Sequence, residues 1–304
     1  MAHNYQQSKF IIMFEKVNLY HPDKVADRVA GAITDLAYSI AGSHEANPKI
    51  ATEVLIGHGH ALIIIETSVP KEPLMAGIPD IMQRICPSIK PELTNVYITQ
   101  QDPHLAANQK DNIRCGDNGI FRGMPITPEQ MFLATLASDL GAAFNSDGKY
   151  IVDDSAHKLI ICQSKSKCEE ILNATLPTLR LYNKLDYYDI IINPLGDWDG
   201  GTDVDCGATN RKLGSDMGDA VTGGGLHGKD LSKADVSVNV VCNWLAKKRN
   251  MRVDACCAIG DDSITFRYED GASEMMLYAE VVERARTIID DWWGFERFAE
   301  FGLI

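Results

Sequence analysis

The sequence predicts an α+β fold of three intertwined pseudo-repeats, each of α-β-β-α-β type and forming a two-layer α/β sandwich with a mixed or antiparallel sheet. Three observations predict it. The same order of helical and strand periodicity comes round three times, with leading helices starting near residues 22, 128 and 232. The strand candidates come in pairs joined by short turns, so they pair as antiparallel hairpins and not through the crossovers of a doubly wound sheet. And 304 residues, 45% of them hydrophobic, hold two or three domain-sized cores. The repeats are assigned to residues 8–103, 115–198 and 199–304.

In the first repeat, Val25, Val29, Ile33, Leu36 and Ile40 recur every three or four residues behind Pro22, predicting a helix over 22–41. Strands over 50–56 and 61–67 follow around the turn Gly57-His58-Gly59, then a helix near 78–85 and a strand over 95–100. In the second, Thr127-Pro128-Glu129-Gln130 is a capping box that opens a helix running to about Phe144. Strands over 149–153 and 158–162 come next. A second capping box, Ser166 to Glu169, opens a helix that Pro177 should bend or end, and a strand over 188–193 closes the unit. The third has a helix from Ser232 to about Lys248, strands over 253–259 and 263–269, and a helix from Glu274 to Asp291.

Composition excludes several functions. With 29 basic and 42 acidic residues the net charge is −13, which disfavours nonspecific nucleic-acid binding and adhesion to anionic membranes. The longest apolar stretches, such as Ala61 to Ile65, are too short to span a bilayer. A cationic flank followed by a sizeable apolar run is not seen near the N-terminus, so no secretory signal is expected. The eight cysteines form no Cys-x-x-Cys pair and several lie in apolar runs. They are expected to be free thiols in a reducing cytoplasm, with zinc disfavoured by the spacing.

The stretch from Asn193 to Lys233 breaks the pattern, with ten glycines and little periodicity, and a loop that long is expected to be functional. Within it, Gly223 to Asp230 fits Gly-x-Gly-x-x-Gly, but no strand precedes it. It also fits a Walker A loop except that Asp230 stands where Ser or Thr should bind magnesium. Its glycines still let backbone N–H groups converge on an anion, and Lys229 adds charge. Elsewhere, His21 and Asp23 flank Pro22 at a helix mouth. They read either as caps or as a phosphate donor beside a metal carboxylate, which Asp235, in the first turn of the third leading helix, could complete around Mg²⁺. His58 and His60 resemble a metal tract but suit a solvated turn. Glu53 and Glu66 lie among apolar strand neighbours and need a cation or an amine if either faces a cavity.

Taken in order, these segments resemble the methionine adenosyltransferase (S-adenosylmethionine synthetase) family from about Phe14 to Phe301. The resemblance rests on His21-Pro22-Asp23-Lys24, Glu53 with Glu66, Gln101-Asp102-Pro103-His104-Leu105, Gly116-Asp117-Asn118-Gly119, Asp147-Gly148-Lys149, Asn193-Pro194-Leu195-Gly196, Asp205-Cys206-Gly207, Arg211-Lys212, the triple glycine with Gly228-Lys229-Asp230, Ser232-Lys233-Ala234-Asp235, and Ala258-Ile259-Gly260. It implies that methionine sulfur attacks C5′ of ATP, that tripolyphosphate leaves, and that the same site hydrolyses it to phosphate and diphosphate. It implies Asp23 and Asp235 as Mg²⁺ ligands, Glu53 as a K⁺ carboxylate, and His21, Lys149, Arg211, Lys212 and Lys229 as the catalytic polyphosphate shell. Glu66, Gln101, Asp117, Asp147, Trp198, Asp205 and Lys233 would be substrate contacts, with Trp198 stacking on adenine. Gln101 to about Asn112 matches a gating loop. The family also implies a homodimer or dimer of dimers with sites at the interface. The sequence departs from the family at Asn18-Leu19-Tyr20, where Ser-Glu-Gly is usual, and at Asp197, where an arginine precedes the stacking aromatic. It is also one residue short near Leu226. Two other functions are carried as alternatives: an ATP-dependent kinase or NTPase using the glycine-rich loop, and a non-catalytic regulatory paralogue.

Overall fold

A computed structural model describes residues 13–42, 47–108, 112–222 and 224–304. The first third contains β1 (Met13–Val17), α1 (Pro22–Ala41), β2 (Ile50–Gly57), β3 (His60–Thr67), α2 (Lys71–Ile85), β4 (Thr94–Gln100) and α3 (Pro103–Asn108). The middle contains β5 (Gly119–Gly123), α4 (Pro128–Phe144), β6 (Gly148–Asp153), β7 (Lys158–Gln163), α5 (Cys168–Leu181) and β8 (Asp189–Ile192). The last contains β9 (Cys206–Ala208), α6 (Leu213–Met217), α7 (Ala234–Arg249), β10 (Val253–Cys257), β11 (Ser263–Tyr268), β12 (Ser273–Leu277), α8 (Tyr278–Asp291) and α9 (Phe295–Phe301).

The described residues form three four-stranded sheets, ordered β4-β3-β2-β9, β8-β7-β6-β1 and β12-β11-β10-β5. Each is a hairpin with one strand added at either side. In all three, the strand on the first hairpin arm comes from a distant stretch and runs antiparallel: β9 on β2, β1 on β6, β5 on β10. None of the sheets is therefore built from one contiguous segment, and this exchange is what intertwines the repeats. On the second arm, β4 and β8 run parallel to β3 and β7. A parallel neighbour needs a crossover, and α2 and α5 supply it.

The third unit differs. Residues 274–277, expected to begin a helix, form β12, which turns straight back from β11 and pairs antiparallel to it. With only a short turn between them, antiparallel pairing is the geometry available. The helix starts at Tyr278, and no strand follows it among the described residues.

The predicted boundaries otherwise hold to a few residues. Thr127 Oγ1 accepts from Gln130 N (3.2 Å) while Gln130 Oε1 accepts from Thr127 N (2.9 Å), completing the first capping box. The second starts one residue late: Lys167 N donates to Glu170 (3.2 Å), and Ser166 instead bonds the Ser164 carbonyl. Pro177 does not end α5, which continues to Leu181. The helix expected near 78–85 begins earlier, at Lys71.

Each sheet packs its helices on one face over its own apolar cluster. The alternation BiBeBeBi along β2 puts Val54 and Ile56 inward and Glu53 and Leu55 outward. The outward faces of the first and third sheets carry no helix, and several of their apolar side chains are exposed: Leu55, Ile64 and Tyr97 on one, Ile120, Met275 and Leu277 on the other.

α1 lies at the centre, against β2, β9, α2 and α9, and its small residues Ala26, Ala30, Gly31 and Ala32 let neighbours approach closely. A Cβ on Gly31 would sit 2.6 Å from the carbonyl oxygen of Phe295, which is rigid backbone. Asp35 holds α9 there, accepting from Phe295 N (2.8 Å) and Glu296 N (2.9 Å). Gly31→Ala should therefore lower stability despite alanine's better helix propensity. The clash costs about 1–3 kcal/mol against a gain of about 1 kcal/mol. A lower urea midpoint with unchanged m-value is the expected result.

Candidate active site

Eight of the candidate residues converge. His21, Asp23, Asp147, Lys149, Trp198, Asp205, Arg211 and Lys212 line one cavity of about 530 Å³, together with Asn193 to Asp197, Cys162 and Cys206. Its walls are the mouth of α1, the outward face of the second sheet and the stretch from Asn193 to Lys212.

Local sequence explains the α1 mouth. Pro22 forces its predecessor into an extended conformation, and His21 (φ −62°, ψ 135°) becomes the N-cap. His21 Nδ1 accepts from Asp23 N at 3.2 Å. Burial pushes the imidazole down to about 4, aided by Lys212 and Lys149 and opposed by Asp23. The ring is therefore neutral at neutral pH. With Nδ1 occupied as an acceptor, its single proton sits on Nε2. Asp23 accepts from Ala208 N (2.9 Å) and lies 3.6 Å from Arg211 and 3.7 Å from Lys212. β9 reaches this carboxylate because Gly207 has no side chain: a Cβ there would fall 2.1 Å from the Pro22 carbonyl carbon.

Lys149 projects from β6 in register with Cys162 and lies 2.9 Å from Glu15 of β1. The same carboxylate is 3.6 Å from Lys212. Three cations thus share a wall on which carboxylates are interspersed with them. Trp198 donates through Nε1 to Asn193 (3.2 Å), which is itself fixed to Gln163 by two hydrogen bonds. Asp197 pairs with Lys167. Asp147 is the unbalanced group. Oδ2 accepts from Gly201 N (3.1 Å), while the buried Oδ1 has no partner. Burial, reinforced by Asp205 and Asp23, pushes its carboxyl up to about 6.

The remaining candidates gather elsewhere, on the first sheet's outward face and the entrance to α7. Cross-strand register places Glu53 beside Ile64 and Tyr97, and Glu66 beside Ala51 and Thr99, all facing outward. Glu53 accepts from the Thr209 hydroxyl, and Glu66 from Asp102 N (3.3 Å). Gln101 continues from β4, its N–H on the Thr67 carbonyl (3.1 Å). Lys229 bridges to Ala51 of β2 and binds Asp235 at 2.7 Å. Lys233 caps α7, and the Asp117 segment is tied in through Gly116 N on the Ser232 carbonyl (3.0 Å). Asp235 thus does not line the cavity that holds Asp23, and within one chain each carboxylate lies beside its own cations. Of the segment 101–112, residues 109–111 lie outside the described residues, as does Gly223.

The two groups share a buried ionic support that sequence reading did not identify. Lys24 Nζ lies 2.9 Å from both carboxylate oxygens of Asp216 and 3.7 Å from Asp27, and His227 Nε2 lies 2.8 Å from Asp216. Burial alone would raise the Asp216 carboxyl, but Lys24 and His227 hold it below the carboxylate range, whereas burial wins at Asp27 and raises it. Asp27, Asp216 and His227 have the ligand types and proximity of a metal centre. The ammonium of Lys24 already serves as their cation. Asn210 joins this support to both groups, donating to Asp27 (2.7 Å) and to the His227 carbonyl (3.2 Å) one residue before Arg211.

Comparison with known proteins gives a consistent result. No protein-family profile matches the chain. S-adenosylmethionine synthase of Helicobacter acinonychis is 26% identical over 293 residues, 79% of this chain and 74% of that protein. The enzyme of the same name from Mycoplasma capricolum is 25% identical over 292 residues, 80% of this chain and 74% of that protein. Among solved structures, an unusual S-adenosylmethionine synthetase from Campylobacter jejuni shares the fold with a TM-score of 0.69 at 18% identity, covering 97% of this chain and 94% of that one.

Asp147 should leave a pH signature. Its folded carboxyl is raised above the unfolded value, so between about pH 4 and 6 the folded state holds more protons and stability falls as pH rises. Wild type should lose stability relative to Asp147→Asn across that window, with the difference constant above it. Urea unfolding of both proteins at several pH values would check this.

Proposed function

We infer the reaction from the family: this chain is a divergent member of the S-adenosylmethionine synthases, and it is a methionine adenosyltransferase, making S-adenosylmethionine from ATP and L-methionine. The observation that carries the finer reading is the cavity in which His21, Lys149, Arg211 and Lys212 face one another with carboxylates interspersed. A thioether needs no general base to attack C5′, whereas a tripolyphosphate leaving group needs charge neutralisation and alignment. The wall carries three cations among its carboxylates, and its histidine is neutral.

The residues then take the following parts. Lys149, Arg211 and Lys212 hold the polyphosphate. His21 Nε2–H donates to the oxygen that bridges to C5′ as charge develops there. Trp198 offers its indole face to adenine, held in place by Asn193. Asp147 and Asp205 accept from donors on the nucleotide or methionine, and the unpartnered Asp147 Oδ1 is suited to such a donor. The hard oxygen donors Asp23 and Asp235 fit Mg²⁺, which would supply further neutralisation of the phosphates. Glu53, with the Thr209 hydroxyl beside it, fits K⁺. Glu66, Gln101, Asp117 and Lys233 bind methionine, and Lys229 completes the phosphate shell. Hydrolysis of tripolyphosphate to phosphate and diphosphate follows in the same cavity. Localisation is cytoplasmic in this reading. No helix among the described residues is long and apolar enough to cross a membrane.

The separation of the two groups supports a dimer in which Asp23's group on one subunit meets Asp235's group on the other. Exposed Leu55, Ile64 and Tyr97 lie beside Glu53 and Glu66 on an uncovered sheet face, and such apolar area is characteristic of an interface.

Chromatography of products from ATP, methionine, Mg²⁺ and K⁺ tests the reaction. S-adenosylmethionine, phosphate and diphosphate should appear in equal amounts. ADP, or turnover independent of methionine, would favour the kinase or NTPase instead, and no turnover at all the regulatory paralogue. Asp23→Asn should cut turnover by at least about 100-fold, the scale of losing one electrostatic stabiliser, with a much smaller change in melting temperature. For the dimer, Asp23→Asn and Asp235→Asn subunits, each inactive alone, should regain activity when co-expressed, because the mixed dimer has one site free of either substitution. Failure to complement, or a fully active monomer in sedimentation, would rule out the shared site.

A further inference from the structure

Cys115 and Cys257 lie outside the cavity, yet their sulfurs are 3.2 Å apart. Cys115 is in the segment before β5, and Cys257 ends β10 opposite Gly119. Both sulfurs reach the Asp117 carbonyl oxygen, at 2.9 Å from Cys115 and 3.5 Å from Cys257. Their backbones are fixed by one turn: Cys115 N donates to the Asp261 carbonyl (2.9 Å), Gly260 N to the Cys115 carbonyl (2.8 Å), and Ile259 N to the Asn118 side chain (2.7 Å). A disulfide needs sulfurs about 2.05 Å apart, so closure requires about 1 Å of approach. Cys115 is buried and Cys257 half-buried, leaving the pair open on one side to a small oxidant. The contact between the two thiols lowers the Cys115 thiol and raises that of Cys257. This favours thiolate character on one sulfur of the pair.

We propose that Cys115 and Cys257 form a redox modification site, a paired thiol that hydrogen peroxide closes to an intrachain disulfide and a thiol reductant reopens. One thiolate attacks a peroxide oxygen, forming an S–O bond and releasing hydroxide. The second sulfur then attacks the first, forming S–S and expelling that oxygen. The two thiol protons leave in the two waters produced. The sulfurs lose two electrons and peroxide gains them. Closure removes both S–H groups from the Asp117 carbonyl and pulls on Gly116, whose N–H is tied to Ser232 at the entrance to α7. The effect on turnover rests on the reading of Asp117 as a methionine contact; the disulfide itself does not.

The test uses the full chain treated with hydrogen peroxide and then denatured. Titratable thiols should fall from eight to six, the mass should drop by two hydrogens, and peptide mapping should link Cys115 to Cys257, all reversed by dithiothreitol. Cys256→Ser should leave the link intact, and Cys257→Ser should abolish it while keeping basal turnover. In wild type, closure should raise the methionine KM about tenfold, the scale of a part-buried carbonyl that loses its donors. Eight thiols remaining, a link through Cys256, or sulfinic acid on Cys257 without any link would overturn the proposal. A Cys115–Cys257 link with an unchanged KM would uphold the paired thiol and remove Asp117 from the methionine site.

Discussion

The pairing of Lys24 with Asp216 is the constraint on which the rest depends. Both groups are almost entirely out of water. Removing two charges from solvent costs several kcal/mol per ion, and only good geometry recovers it. Here the ammonium meets both carboxylate oxygens, with Asp27 and His227 close around them. Such an arrangement tolerates little displacement. It fixes α1 against α6 and the glycine-rich stretch, and these three carry His21 and Asp23, Arg211 and Lys212, and Lys229. The shell proposed for the polyphosphate takes its geometry from charges outside the cavity.

The chemistry on either side of this support is economical in acid–base groups. Burial neutralises His21 and leaves it a donor, while the lysines and Arg211 stay beside carboxylates that can yield to phosphate oxygens. These ion pairs are partly solvent-exposed and individually weak. Exchange of Glu15 for a polyanion beside Lys149 therefore meets a low barrier. Asp197 and its Lys167 partner place a surface cation near the indole.

Much of the architecture was legible because long helices and hairpins have strong periods. Pro22, the Thr127 capping box and the Gly57–Gly59 turn fixed boundaries through local chemistry alone. The exchanged strands β1, β5 and β9 were not legible. They are three to five residues long, too short for a period, and their partners lie far along the chain. β12 was read as helix because its outward residues Met275 and Leu277 are apolar, which erased the alternation that marks a strand. The residue types of the site were readable from ordered motifs. Their division into two groups was not, since order along a chain carries no distance. The buried ion cluster is not legible because Lys24 and Asp27 look like ordinary charges in the first two turns of a helix. The clue lay in Ala26, Ala30, Gly31 and Ala32, whose small size marks a helix packed on every side.

The exchange of strands also bears on how the chain is made. β2 pairs with β3 as soon as both leave the ribosome, but its other edge is completed only by Cys206–Ala208, roughly 150 residues later. At usual rates of synthesis that edge stays open for about ten seconds or more. An unpaired strand with alternating Val54, Leu55 and Ile56 can template association between nascent chains, and Glu53 in its middle puts a negative charge on each copy. A negative charge at that position on every copy opposes edge-to-edge pairing while the edge is open.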